Sequence, residues 1–274
     1  MSRPFLKMNG LGNDFVVVEA RQAPFRPGPA EARAIADRAS GIGCDQLIAI
    51  EPSQRADAFM RIWNADGGEV DACGNATRCV GWLLMQASGR DEATIETKGG
   101  LLRARRSGER ISVDMGEPGL SWEQVPLAEA MDTRGIELQV GPIDNPYLHT
   151  PGAVSMGNPH VVFFVPDAEA APVREAGSLI EHHPLFPEGV NVGFAQVKAP
   201  DRIRLRVWER GAGLTRACGT GACAALVAAH RRGLTGRAAT LELDGGELDI
   251  EWREDDGHVI MTGPVEVEFT GRLP

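Results

Sequence analysis

The sequence predicts an α+β protein of two pseudo-symmetric halves, each a curled, mainly antiparallel sheet around a central helix. Three observations carry that expectation. Motifs of the first half recur in the second at one fixed offset. Each half reads as many short strands and one long apolar helix. Each of those helices follows a cysteine set beside small residues, Ala72-Cys73-Gly74-Asn75 in one half and Ala217-Cys218-Gly219-Thr220 in the other.

The offset is read directly from the residue numbers. Gly12-Asn13 before Val16-Val17 returns as Gly157-Asn158 before Val161-Val162, Arg61-Ile62-Trp63-Asn64 as Arg206-Val207-Trp208-Glu209, and Cys73-Gly74 as Cys218-Gly219, each 145 residues on. After one inserted residue, Thr94-Ile95-Glu96 and Gly99-Gly100 reappear as Thr240-Leu241-Glu242 and Gly245-Gly246, 146 residues on. Three motifs at one offset over some sixty positions identify two copies of one fold. A boundary between them is expected at Gly116-Glu117-Pro118-Gly119, a turn-forming run.

Along the first copy, the polar Gly-rich loop Asn9-Gly10-Leu11-Gly12-Asn13-Asp14 runs into the strand Phe15-Val16-Val17-Val18. Pro24 to Pro29 is a connector, Ala30 to Ala39 a short helix ending before Gly41, and Leu47 to Ile50 an apolar strand. Ala58 to Trp63 alternates as a strand and stops at the turn Asn64-Ala65-Asp66-Gly67-Gly68. Behind Cys73, Val80, Leu83, Leu84 and Ala87 recur at helical spacing, with Trp82 and Met85 adding apolar character all round, as in a buried helix. Thr94 to Lys98, Leu101 to Arg105 and Ile111 to Met115 read as short strands. Pro118 to Pro151, rich in Pro and Gly, yields no clear element.

Composition bounds the function. The chain has 274 residues, 43% hydrophobic and 24% charged, within the range of ordinary globular proteins, and a net charge of −10, which disfavours a nucleic-acid binder. Arg103, Arg105, Arg106 and Arg110 come nearest to a basic cluster, but they flank a Ser-Gly-Glu turn and read as the solvated end of a hairpin. No run approaches the ~18 apolar residues of a membrane span. The opening Met1-Ser2-Arg3-Pro4-Phe5 lacks an apolar signal core, so a cytoplasmic protein without membrane contact is expected. Five cysteines in such a chain are expected as thiols.

The chemistry centres on Cys73 and Cys218. A helix start presents unpaired amide N–H groups and the positive end of the macrodipole, and both favour a thiolate or a bound carboxylate. Cys44, Cys79 and Cys223 are read as packing residues. Zinc is disfavoured, because no Cys-x-x-Cys or Cys-x-x-His pair occurs and the local cysteine pairs fall on different helix faces. A disulfide between Cys73 and Cys218 would be an oxidised resting form. Covalent catalysis by one cysteine would leave the second copy of the motif without a use.

Two thiols around one ligand suit a different reaction. A thiolate removes a proton from a tetrahedral carbon and a thiol returns one to the opposite face, which inverts the centre. Helix starts depress thiol pKa values from ~8.5 toward ~3.5–7.5, so a thiolate/thiol pair is reasonable near neutrality. The helix amides can hold the substrate carboxylate and stabilise charge developing beside it, so an electron-sink cofactor is not obligatory.

The combination of Met8-Asn9-Gly10-Leu11-Gly12-Asn13-Asp14-Phe15, Asp45-Gln46-Leu47, Asn64-Ala65-Asp66-Gly67, Ala72-Cys73-Gly74-Asn75, Gly157-Asn158-Pro159-His160, Gly189-Val190-Asn191-Val192, Trp208-Glu209-Arg210-Gly211 and Ala217-Cys218-Gly219-Thr220-Gly221 closely resembles the bacterial diaminopimelate epimerase family, over nearly the whole chain. The resemblance implies interconversion of LL- and meso-diaminopimelate in lysine and peptidoglycan precursor synthesis, without a cofactor or metal, with Cys73 and Cys218 as the acid/base thiols. It implies that Gly74, Asn75, Gly219 and Thr220 hold the reacting carboxylate, and that Asn13, Gln46, Asn64, Asn158, Asn191, Glu209 and Arg210 line the rest of the pocket. Charge agrees, because Arg210 suits a distal carboxylate and Glu209 an ammonium. His160 is expected to tune the site or to serve as a structural histidine.

The family fold implies two similar β-barrel halves, with the last strand crossing back to the first half. Met261-Thr262-Gly263-Pro264 followed by Val265 to Phe269 fits that return, so the expected domains are 1–117 with 263–274, and 118–262. Family members are often homodimers with a tyrosine near this end. Here Phe269 stands at that place, keeping the apolar contact and removing the hydroxyl. Cys44 departs from a smaller residue such as Ala. The nearest alternative is a proline or hydroxyproline racemase-like enzyme of the same fold, whose first motif usually carries His after Cys-Gly where this chain has Asn75. A non-enzymatic relative that has lost the thiols is disfavoured by retention of both.

Overall fold

The computed structural model describes residues 2–71 and 73–273. Met1, which opens the N-terminal stretch, Ala72, first residue of the first cysteine motif, and Pro274, last of the returning segment, lie outside the described residues. The chain divides into two units, Met1–Asp114 with Thr262–Pro274, and Met115–Met261.

In the first unit, β1 (Arg3–Asn9) and β2 (Asp14–Glu19) form an antiparallel pair, and helix α1 (Pro29–Ala36) crosses over to β3 (Gln46–Glu51), parallel to β2. Proline at the first helical turn and Gly28 before it suit the start of α1. β4 (Ala58–Asn64) returns antiparallel to β3 and turns into the short β5 (Glu69–Val70). Helix α2 (Gly74–Ser88) then leads to β6 (Glu92–Thr97), parallel to β4, and to the antiparallel run β7 (Gly100–Ser107) and β8 (Arg110–Asp114).

The second unit repeats this order. After β9 (Gln139–Val140) and β10 (Leu148–His149), a small separate pair, come β11 (Gly152–Ser155) and β12 (Pro159–Phe164), antiparallel. Helix α3 (Val173–Glu181) crosses to β13 (Asn191–Ala199), parallel to β12, followed by β14 (Arg202–Glu209) and β15 (Gly213–Thr215). Helix α4 (Gly219–Arg231) leads to β16 (Ala238–Leu243), parallel to β14, and β17 (Gly246–Trp252). Strand β18 (Val259–Gly263) spans the division between the units, and β19 (Glu266–Leu273) pairs antiparallel with β1.

The fold is mixed α and β with mainly antiparallel pairing, as the sequence predicts, and α2 and α4 are the buried helices. Ten residues of α4 are buried, on every side of the helix. Close packing explains Gly81 on α2, where a Cβ would stand 2.5 Å from the Ala104 Cβ. Helix α3 is an addition to the sequence expectation. Its buried Val173, Ala176, Gly177 and Ile180 follow the i, i+3, i+4, i+7 pattern of an amphipathic helix. The first unit packs Phe5, Val16, Val18, Leu47 and Trp63 together, and the second Val161, Phe163, Val192 and Phe194. Among the described residues no helix is long and apolar enough to cross a membrane.

Candidate active site

Each central helix begins on its cysteine. Cys73 is the N-cap of α2 (φ −150°, ψ 113°) and Cys218 the N-cap of α4 (φ −127°, ψ 104°), both extended. The first amides of a helix have no intrahelical acceptor; here these belong to residues 74–76 and 219–221. Thr77 N–H donates to the Cys73 carbonyl and Ala222 N–H to that of Cys218, closing the first turn of each helix just beyond those amides. An anion-binding end is therefore built beside each thiol.

The thiol environments differ. Cys73 is half-buried, and its Sγ lies 3.8 Å from Asn13 Oδ1 as donor to it. Cys218 is 3% exposed, with Thr220 Oγ1 at 3.6 Å. Burial first, and then the Glu209 carboxylate, push the Cys218 thiol well above its ordinary range, against the pull of the Thr220 hydroxyl. Glu209 is held by Thr215, whose hydroxyl donates to Oε1 at 2.5 Å. A Cβ on Gly221 would stand 3.1 Å from the Cys218 sulfur, so the glycine leaves room for the thiol.

Loops after β1 and β11 bring in the matched asparagines. Gly12 (φ +81°) and Gly157 (φ +86°) occupy the same left-handed position in the two copies, and each precedes its asparagine. Leu11, also left-handed at φ +70°, carries strain that a bulky side chain accepts only when its surroundings hold it; it is buried. Asn13 Nδ2 donates to Asp45 Oδ2 at 2.8 Å. Asn158 Oδ1 is 2.9 Å from His160 Nε2. An amide oxygen only accepts, so His160 is the Nε2–H tautomer. Burial, then Arg210, depress the His160 pKa to about 3, leaving the ring neutral.

The remaining polar residues fall into place on strand ends. Gln46 on β3 and Asn64 on β4 are direct cross-strand partners, and Gln46 Nε2 donates to Asn64 Oδ1 at 3.0 Å. Gln46 Oε1 is buried with no hydrogen-bond partner. Arg78, one turn into α2, donates to Asn75 Oδ1 at 2.8 Å, which leaves the NH2 as the amide's other end. Asn191 departs from a simple lining role. Its Nδ2 donates to the Pro159 carbonyl and its Oδ1 accepts from the Arg210 amide, both at 2.9 Å, so it fixes the backbone beside Arg210. Arg210 Nη1 donates to the Glu188 carbonyl at 2.7 Å.

The structure thus sets Asn13 beside Cys73 and pairs Gln46 with Asn64 in the first unit, and sets Thr220 and Glu209 beside Cys218, Asn158 beside His160 and Asn191 beside the Arg210 amide in the second. Sequence reasoning missed Arg78 and Thr215, which hold Asn75 and Glu209. Arg78 sits at the i+3 helical spacing from Asn75 and was legible in principle. Phe269 lies on β19, 48% exposed, with its ring edge-on to Phe5 at 6.0 Å.

The diaminopimelate epimerase family model matches twice, over residues 5–121 and 152–268, once per copy of the repeat. The chain belongs to the diaminopimelate epimerase family. A diaminopimelate epimerase of Phenylobacterium zucineum (strain HLK1) is 71% identical, the match covering 100% of this chain and 99% of the relative. One of Caulobacter sp. (strain K31) is 63% identical, covering 100% and 98%. Among solved structures, a hydroxyproline epimerase from Agrobacterium vitis superposes with a TM-score of 0.70 at 17% identity, covering 99% of this chain and 91% of that one. A PhzF-family phenazine biosynthesis protein of Bacillus anthracis gives 0.69 at 14%, covering 100% and 99%. At such identities these two share the fold alone with the family.

Proposed function

We propose that this chain interconverts LL- and meso-2,6-diaminopimelate by two-base proton transfer at one α-carbon, with Cys73 and Cys218 as the thiols. The observation that carries the reading is a cysteine at the N-cap of the central helix in both copies of the fold, in a chain of this family. One thiolate takes the α-proton, and the electron pair left on carbon delocalises into the adjoining carboxylate. The other thiol gives its S–H proton to the opposite face, so the first cysteine ends protonated and the second as thiolate. The reading requires both thiols to reach one α-carbon in the substrate complex, and it uses no electron sink beyond the substrate's own carboxylate. Helix amides at residues 74–76 and 219–221 stabilise charge growing on that carboxylate.

The far end of the substrate carries a second carboxylate and a second ammonium. Arg210 supplies guanidinium donors for that carboxylate and Glu209, whose carboxylate lies against Cys218, an acceptor for the ammonium on the reacting carbon, while the amides of Asn64, Asn75 and Asn158 supply directed N–H groups. As an isomerase of this kind the chain serves lysine and peptidoglycan precursor synthesis. Incubation of the reduced protein with LL-diaminopimelate in D₂O, beside D- and L-proline, tests the assignment. Deuterium is expected at the α-carbon of newly formed meso product, with no change to proline. Cys73→Ala and Cys218→Ala are each expected to lower turnover at least about 10³-fold, the upper range for loss of an acid/base group. Full activity in either variant, or racemised proline, would sink the assignment.

The exposed apolar residues of β19, Val267 at 37% and Phe269 at 48%, support a homodimer formed through this strand. Sedimentation analysis is expected to give a dimer for the native chain and a monomer for Phe269→Asp.

A further inference from the structure

The first unit holds a charged cluster that the second lacks and that the proton-transfer scheme does not use. Lys7 on β1 is buried, 4% exposed, and donates to Asp14 Oδ2 at 2.5 Å and to the Gly43 carbonyl. Arg38 donates to both oxygens of Asp14, at 2.8 and 3.0 Å, and to Asp45 Oδ1 at 2.7 Å. Asp45 Oδ2 in turn accepts from the Asp14 amide at 3.1 Å and from Asn13 Nδ2 at 2.8 Å. At the 145-residue offset the second unit carries Gly152, Pro159, His183 and Val190 in place of Lys7, Asp14, Arg38 and Asp45.

An ionised carboxylate accepts hydrogen bonds and cannot donate. The Asn13 atom against Asp45 is therefore the NH2, and the oxygen is left to face Cys73 Sγ at 3.8 Å. We infer that Asp45 is a positioning residue, anchored by Arg38, that locks the Asn13 amide with its oxygen rather than its NH2 toward the Cys73 thiol. The inference rests on the reading of Cys73 as an acid/base thiol. A helix start alone favours the thiolate, and a thiolate held too firmly is a weak base. An acceptor oxygen favours S–H and offsets part of that pull, so that Cys73 both takes and returns a proton. Arg78 and Cys79 share this end of α2 and are untouched by the variants below.

The test combines Asp45→Ala with Asn13→Ala. Release of the amide lets its NH2 turn to the sulfur. In Asp45→Ala, kcat is expected to fall about ten-fold with KM within about two-fold. The rate of Cys73 alkylation by iodoacetamide at pH 7, read on the Cys73 peptide by mass spectrometry, is expected to rise about three-fold or more. Because Asp45 acts through Asn13, adding Asp45→Ala to Asn13→Ala is expected to change neither quantity further. Losses that multiply in the double variant, or wild-type alkylation in Asp45→Ala, overturn the lock. Should Asp45→Ala not fold, Arg38→Met, at a side chain 59% exposed, carries the same test with an expected three-fold effect in both readouts, and no effect overturns it. Alkylation needs no turnover, so it reports on the lock even if Cys73→Ala were to stay active, which would overturn the two-thiol reading instead.

Discussion

The two copies of the fold surround the same cysteine with different side chains. Beside Cys73 lies a neutral asparagine, Asn13, and the strand end of the first unit carries the neutral Asn64. Around Cys218 the strand end carries Glu209 instead, and burial together with that carboxylate pushes the thiol well above its ordinary range. Arg78, buried one turn into α2, is replaced by Cys223 at the same register of α4. These two differences share a sign, more positive in the first unit and more negative in the second, while Arg210 of the second unit, against Ala65 of the first, runs the other way. A duplicated fold has thus kept the backbone device, the helix start, and diverged in the side chains around each thiol. A two-base reaction on an asymmetric substrate asks for this, because one cysteine must hold a proton while the other lacks one.

The comparison breaks most sharply at Glu209. Glu209→Gln removes the carboxylate and is expected to lower kcat/KM by about 10²–10⁴-fold, the range for a group that acts with an acid/base residue. It is also expected to speed Cys218 alkylation at pH 7. In the native chain Cys73, the more exposed thiol, is expected to be alkylated first. Equal alkylation of the two thiols, or a Cys218 rate unchanged in Glu209→Gln, would erase the asymmetry.

A smaller effect is expected at His160, the counterpart in the second unit of the Asp45 device. His160 turns Asn158 by donating to its oxygen, whereas Asp45 turns Asn13 by accepting from its NH2, so the two matched asparagines present opposite atoms. His160→Leu frees Asn158 and is expected to raise KM about ten-fold, the cost of a buried hydrogen bond lost, while His160→Gln, which can still donate, restores most of it. Since burial, and after it Arg210, hold the ring pKa at about 3, neither variant is expected to move a limb of the pH–rate profile between pH 5 and 8. A limb that disappears in both variants would show that the ring titrates in function.

Much of this was legible in the sequence. The 145-residue offset, the helices behind Cys73 and Cys218 and the strand order of the first copy follow from periodicity and turn residues. Helix α3 has the right spacing, but its run is short and opens on a proline connector. The segment from Pro118 to Pro151 forms isolated turns and two-residue strands that no periodic pattern marks. The lock on Asn13 could not be read, because Lys7, Asp14, Arg38 and Asp45 come from two strands, a helix end and a loop, and each alone looks like an ordinary surface charge. Asn191 shows the converse. Its motif marks it as a pocket residue, and the fold uses both ends of its amide on backbone groups.

The smallest expected effect separates the units by acid stability. Burial would raise the Asp14 pKa, but hydrogen bonds from Arg38 and Lys7 and the Asp45 amide overcome it and hold the carboxyl well below the ordinary range. An unfolded Asp titrates near ~3.9. The unfolded chain therefore binds the proton first, and the stability from Asp14 is full above that value and drains as pH falls through it toward the folded one. The second unit has Pro159 at this register, where no side chain can titrate. Amide-exchange protection is expected to fall in β1 and β2 before β12 and β13 as pH drops below about 4, by on the order of 1.5–3 kcal/mol, the range for hydrogen bonds to a charged group. Asp14→Asn should bring the two pH dependences together, at lower stability of the first unit throughout. If native β2 and β12 lose protection in step, the Lys7–Asp14–Arg38 cluster does not stabilise its unit through ionised Asp14, and its role narrows to holding Asp45.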